Sequence, residues 1–165
     1  MNKIYESDVE KLCMELLEEQ GYHYLSPEDQ EAERGELSEV ILKARLRNAI
    51  NSLNPGIPAD AREYAYKQVL NLSTQNLVEN NEQFHTMLTE GVNVEYLKDG
   101  HTRGAEIKLV DFENPRNNDL VVTNQFTVLQ DHTNKRPDVV LLVNGLPLVV
   151  IELKNPTDEN ATVKK

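Results

Sequence analysis

The chain has a single cysteine, Cys13, and so cannot close a disulfide within itself. Cys13 falls at an apolar position of a helical pattern, which points to a buried thiol in a reducing compartment. No stretch approaches the roughly 18 apolar residues that a membrane span needs. Residues 1–10 are polar and acidic, without the apolar segment of a secretory leader. Together these absences predict a cytoplasmic protein with no membrane partner. No G-x-x-x-x-G-K-[S/T] phosphate loop occurs, so ATP work is not expected of these residues. His23, His85, His101 and His132 lack the paired spacing of metal ligands and read as surface or packing residues. Internal repeats and low-complexity tracts are also missing.

What is present fits one domain over residues 1–165, long enough to bury roughly two-thirds of the surface its unfolded form exposes. The net charge of −11 argues against strong binding of free nucleic acid, whose affinity for proteins comes largely from Lys and Arg on phosphates. The acidity is uneven. Residues 1–40 hold twelve acidic side chains against Lys3, Lys11 and Arg34, so most of the charge sits there. Any DNA contact is therefore expected to be delivered by another domain or subunit.

Val9, Leu12, Cys13, Leu16 and Leu17 recur at i, i+3, i+4, i+7, i+8, which predicts a first helix. Ser7 and Glu10 have the spacing of a capping box at its start, and Gly21 suits its end. A Glu- and Pro-rich loop is expected next, then a second helix from Ser38-Glu39 carrying Ile41, Leu42, Leu46, Ala49 and Ile50. Two more helices are predicted, over 59–72 and around Leu77, Phe84, Met87 and Leu88. After Gly91 the period falls to two, predicting strands at 92–97, 105–112 and 120–129. The most apolar runs, 137–143 and 148–154, flank Asn144-Gly145, a strong hairpin signal, and read as central strands covered on both faces. The fold class is thus α/β (α+β): a helical N-terminal half, then an antiparallel β meander, in layers.

Charged groups stand at the ends of those two apolar runs: Arg136-Pro137-Asp138, thirteen intervening residues, then Glu152-Leu153-Lys154. A carboxylate or ammonium beside Val149, Val150 and Ile151 must be paired, exposed at a strand end, or bound to a metal. Glu152 and Lys154 are two apart in a strand and project from one face. With Asp138 they supply hard oxygen ligands suited to Mg²⁺ and a neighbouring cation, the groups that phosphodiester hydrolysis requires. Lys154 would stabilise a developing oxyanion or orient water, and Arg136 is a candidate phosphate contact. The plainer alternative is that Asp138 caps a turn while Glu152 and Lys154 form an edge pair. Tyr64 and Tyr66 with Arg62 and Lys67 have two readings, a nucleic-acid contact or an ordinary amphipathic helix, and the second is favoured.

The site reading makes a demand on register. Directly paired residues of an antiparallel hairpin share a face, and an unbroken two-residue loop at Asn144-Gly145 would pair position 138 with 151, turning Asp138 and Glu152 to opposite faces. A shared site needs an odd-numbered loop or a bulge within a strand.

Pro137-Asp138 and Glu152-Leu153-Lys154 resemble the PD-(D/E)xK nuclease signature. The segment from Arg136 through Asn144-Gly145-Leu146-Pro147 to Asn155 is similar to the nuclease segment of the R (restriction) subunits of type I restriction enzymes. Asn124-Gln125-Phe126 ahead of it also resembles that family, as does the first helix followed by Gly21-Tyr22. The resemblance implies a restriction-endonuclease-like central mixed β-sheet flanked by helices, and Mg²⁺-dependent cleavage of unmodified DNA. It implies an assembly with specificity and methylation subunits, and an ATP-driven motor domain following in a much longer parent chain, of which these residues would be an N-terminal fragment. It further implies an acidic metal ligand from the first helix, here Glu10 or Glu6, although Glu10 could instead close the capping box. Another repair or recombination nuclease of the same superfamily, or a non-catalytic docking module, are the rival functions.

Overall fold

A computed structural model describes residues 5–72, 76–130 and 133–154. The chain divides into two compact units, one of residues 1–42 with 120–165 and one of residues 43–119. The described elements are mixed α and β, in agreement with the expected class.

The first unit opens with α1 (Glu6–Glu19). The Asp8 carboxylate accepts the Tyr5 backbone N–H at 2.8 Å, so the helix starts earlier than a Ser7 cap would set it and Glu10 is free of the capping role. The face turned to the sheet carries Met14, Cys13 and Leu17, while Leu12 and Leu16 are exposed. Gly21, at φ 97°, ends the helical segment and leads into a short strand that the sequence reading missed, β1 (His23–Tyr24).

The expected Glu- and Pro-rich loop is instead α2 (Pro27–Arg34). Ser26 caps it, its hydroxyl accepting the Asp29 N–H at 3.1 Å, and Pro27 supplies the preset φ of a first helical turn. Its buried face consists of Gln30 and Arg34, polar residues that hydrophobic periodicity does not register. Leu42 donates its N–H to the Gly145 carbonyl at 2.9 Å, outside any helical ladder, and the next helix begins at Lys43 and not at Ser38.

The sheet has the order β1, β4 (Leu120–Asn124), β7 (Val139–Val143), β8 (Leu146–Ile151). β1 runs parallel to β4 and the other pairs are antiparallel, so the sheet is mixed, as the resemblance implied; the parallel β1 comes from the N-terminal half and adds to the antiparallel strands expected of the C-terminal half. β7 is buried from Val139 to Leu142, but β8 lies at the edge with Val149 and Val150 exposed, so only one of the two apolar strands is central. Val122, Val139 and Leu141 pack against Met14 of α1 on one face; Val121, Val140 and Leu142 pack with Leu42 and Phe126 on the other. A small hairpin, β5 (Val128–Gln130) with β6 (Thr133–Lys135), lies between β4 and β7 in the chain. The predicted run 120–129 is broken because Gln125 adopts a left-handed φ of 53°.

In the second unit α3 (Lys43–Leu53), α4 (Ala59–Leu70) and α5 (Leu77–Glu90) precede a hairpin of β2 (Val92–Lys98) and β3 (His101–Ile107). Asp99-Gly100, both with positive φ, makes its turn, and β3 starts and ends earlier than the expected 105–112. Tyr66 is buried with the Arg47 guanidinium 4.3 Å from its ring centroid, and Arg62 donates to the Asn51 carbonyl at 3.0 Å, as the amphipathic-helix reading requires.

Arg34 ties the non-strand parts of the first unit together. Buried beneath α2, it donates to the carbonyls of Leu37 (2.6 Å), Glu39 (2.5 Å) and Thr127 (2.7 Å) and to Gln30 Oε1 (2.9 Å), with its guanidinium 4.1 Å from the Phe126 ring centroid. Substituting Arg34→Met strands three carbonyls while keeping most of the volume. It is expected to cost about 3 kcal/mol in urea unfolding of the chain, on the scale of lost charged hydrogen bonds to buried partners.

Candidate active site

The turn Asn144-Gly145 has φ of 54° and 79°, the mirror-image geometry that suits a two-residue hairpin, and Val143 pairs with Leu146 across it. Continued without interruption, that register would oppose Asp138 to Ile151. It does not continue. Leu142 pairs with Pro147 but Leu141 pairs with Val149, so Leu148 is an extra residue, a β-bulge. Val139 therefore pairs with Ile151, and the next positions outward on the two strands are Asp138 and Glu152. The bulge that a shared site demands is present.

Val139, Ile151 and Leu153 belong to the α1-facing cluster, and Asp138, Glu152 and Lys154 are each one step away from them, just beyond the ends of the two strands. Asp138 is half-buried, and Glu152 and Lys154 are exposed. Asp138 is held twice: its Oδ2 accepts the Leu153 N–H at 2.7 Å, and its main-chain carbonyl accepts the Gln125 N–H at 2.9 Å. The first bond ties the acid to the segment that carries Glu152 and Lys154. Arg136 is exposed just ahead of Asp138.

Glu10 is carried by α1. Its Oε1 accepts from Asn124 Nδ2 at 2.7 Å and its Oε2 from Gln125 Nε2 at 3.1 Å, while the Tyr24 hydroxyl donates to Asn124 Oδ1 at 3.0 Å. Among the described residues no three or more His, Cys, Asp or Glu side chains come together as a metal site, so Glu10 and Glu6 do not complete a three-carboxylate centre with Asp138 and Glu152. The pair Asp138 and Glu152 is nonetheless a donor set that suits Mg²⁺, which is commonly held by one or two carboxylates with water and substrate phosphate filling the remaining positions. His23, His85 and His101 are exposed on separate elements, and His132 lies outside the described residues. Asn124, Gln125 and Tyr24 were not identifiable as partners of an acid from spacing, because the bonds join residues about a hundred positions apart.

Cys13 packs against the α1-facing core cluster. Burial, and then the charge of Glu10, push its thiol above the ordinary 9.0. At neutral pH it is protonated and a poor nucleophile. The alkylation rate of Cys13 followed against pH should give an apparent pKa above 9.0, and Glu10→Gln should lower it without restoring the ordinary value, since burial remains.

Over residues 3–165 the chain matches the family described as type I restriction enzyme R protein N terminus. It is 38% identical over 162 residues to the type I restriction enzyme HindI endonuclease subunit of Haemophilus influenzae, covering 94% of this chain and 15% of that protein. It is 34% identical over 164 residues to the putative type I restriction enzyme MjaIXP endonuclease subunit of Methanocaldococcus jannaschii, covering 94% of this chain and 16% of that one. A third relative, the type I restriction enzyme EcoprrI endonuclease subunit of Escherichia coli, is 30% identical over 151 residues, which are 90% of this chain and 44% of its own length. The chain thus spans under a sixth of the first two relatives. Among the described residues no helix is long and apolar enough to cross a membrane. A family match running over nearly every residue, joined to relatives of this identity, establishes that the chain belongs to the family of type I restriction enzyme R protein N-terminal regions.

Proposed function

We propose that this chain is the nuclease part of a type I restriction enzyme R subunit, cutting DNA phosphodiester bonds at a Mg²⁺ centre built on Asp138 and Glu152, with Lys154 beside it. The observation that carries the reading is the Leu148 bulge, which pairs Val139 with Ile151 and so makes Asp138 and Glu152 the next residues outward on the two strands, with Lys154 two positions further on. The three relatives, all endonuclease subunits of type I restriction enzymes by name, support it.

Asp138 and Glu152 would hold the ion. Bound Mg²⁺ supplies Lewis acidity toward the scissile phosphate and lowers the pKa of water. The chain's own contribution is orientation and charge. The Leu153 N–H fixes one Asp138 oxygen, so the carboxylate is preset before substrate arrives. The Lys154 ammonium meets negative charge as it builds on the phosphate, and Arg136 contacts a neighbouring phosphate. With a net charge of −11, the chain depends on its partners to bring DNA to this site: the motor domain of the parent chain, where ATP is used, and the specificity and methylation subunits.

The test is DNA cleavage by the assembled enzyme carrying Asp138→Ala, Glu152→Ala or Lys154→Ala. Each should lower the cleavage rate at least about 100-fold while DNA binding by the complex is retained. Full cleavage by Lys154→Ala, together with no Asp138-dependent heat on adding Mn²⁺, would instead favour a non-catalytic docking module.

A further inference from the structure

Gln125 bonds to Glu10 through its side chain and to Asp138 through its main chain. Its side-chain amide donates to Glu10 Oε2 at 3.1 Å, and its main-chain N–H donates to the Asp138 carbonyl at 2.9 Å. To do both it takes a left-handed φ of 53°, a conformation that side chains other than glycine seldom adopt and that surrounding bonds must enforce. The enforcing bonds are visible. Glu10 grips Gln125 with one oxygen and Asn124 with the other, and the Tyr24 hydroxyl, donating to Asn124 Oδ1, turns that amide so that its NH₂ meets Glu10.

The acid on α1 is thus committed to the end of β4. We infer that Glu10 is a positioning residue and not a metal ligand: with Asn124 and Gln125 it forms a clamp that locks the left-handed elbow at Gln125 and thereby fixes the backbone from which Asp138 projects. The inference rests on the reading of Asp138 and Glu152 as the metal-holding pair. It accounts for Glu10 through hydrogen bonding alone. A neutral amide at position 10 can serve in its place, because Gln125 can rotate its own amide to present oxygen to the new NH₂ group while Asn124 still donates to the new carbonyl. A ligand carboxylate has no such substitute.

The experiment is calorimetric titration of Mn²⁺ into the full-length polypeptide, with Asp138→Ala defining the heat that belongs to this centre. Thermal unfolding without metal provides a check on folding. Glu10→Ala and Gln125→Ala should each weaken Mn²⁺ binding about tenfold, the usual scale for partners that orient a ligand. Glu10→Gln should stay within about threefold of the unmodified chain, and the exchange Glu10→Gln with Gln125→Glu, which keeps both amide bonds while moving the charge to the strand, should do the same. Equal losses in Glu10→Gln and Glu10→Ala would overturn the inference by showing that the charge itself is required. Unchanged affinity in Gln125→Ala would overturn it from the other direction. If Asp138→Ala leaves the Mn²⁺ heat intact, the metal-holding pair is misassigned and the clamp loses its purpose, an outcome separable from the other two. Should Glu10→Ala not fold, the Glu10→Gln and Gln125→Ala arms decide alone.

Discussion

β7 and β8 slip past each other by one residue at Leu148, and the arrangement of the proposed site follows from that slip. A strand has only two faces, so an offset of one residue exchanges them for everything beyond it. Before the bulge, β8 is in step with the Asn144-Gly145 turn; after it, β8 is in step with the acid at the start of β7. Ile151 and Leu153 consequently join the core beneath α1, and the charged residues alternating with them face outward. The apolar packing and the polar site are two results of one register. An alternative pairing would bury Glu152 against Met14 and Leu17, and the desolvation of an unpaired carboxylate opposes it.

Around this sheet the first unit is completed by segments far apart in sequence, and polar side chains connect them. Arg34 gathers the carbonyls of residues 37, 39 and 127 against Phe126, and Glu10 gathers the amides at the end of β4. Both groups act on the connection leaving β4, one near each end of residues 124–127. That connection has no ladder of its own until β5, so its backbone groups need partners from elsewhere. A loop organised in this way has bonded partners at the point where it meets Asp138, which suits the proposed task of presenting ligands to a charged substrate.

Much of this was legible in the sequence because the signals were local. The i, i+4 recurrence in α1, the Asn-Gly and Asp-Gly turns, and the apolar runs of β7 and β8 all act over a few residues, and each corresponds to an observed element. The need for either an odd-numbered loop or a bulge followed from counting residues between two acids; the structure takes the bulge. What escaped was of two kinds. α2 hides its amphipathic character because Gln30 and Arg34, its buried residues, are polar and find their partners only in the folded unit. The edge position of β8 and the parallel β1 depend on strand order, which apolarity does not encode: an edge strand with Val149 and Val150 exposed reads like a buried one. Glu10 shows both limits. Its spacing from Ser7 suggested a cap, its helix suggested a ligand, and its partners lie across more than a hundred residues.

The separation between the two strand acids also works as a ruler. A smooth two-residue hairpin can hold two side chains on a common face only when an even number of residues lies between them, as paired positions add in twos. Thirteen residues separate Asp138 from Glu152, and with a two-residue turn at Asn144-Gly145 that odd count requires one kink in the ribbon. Kindred chains with twelve or fourteen in this interval could keep the same geometry with the kink erased or doubled. Parity of spacing is therefore a property that can be compared among them without coordinates.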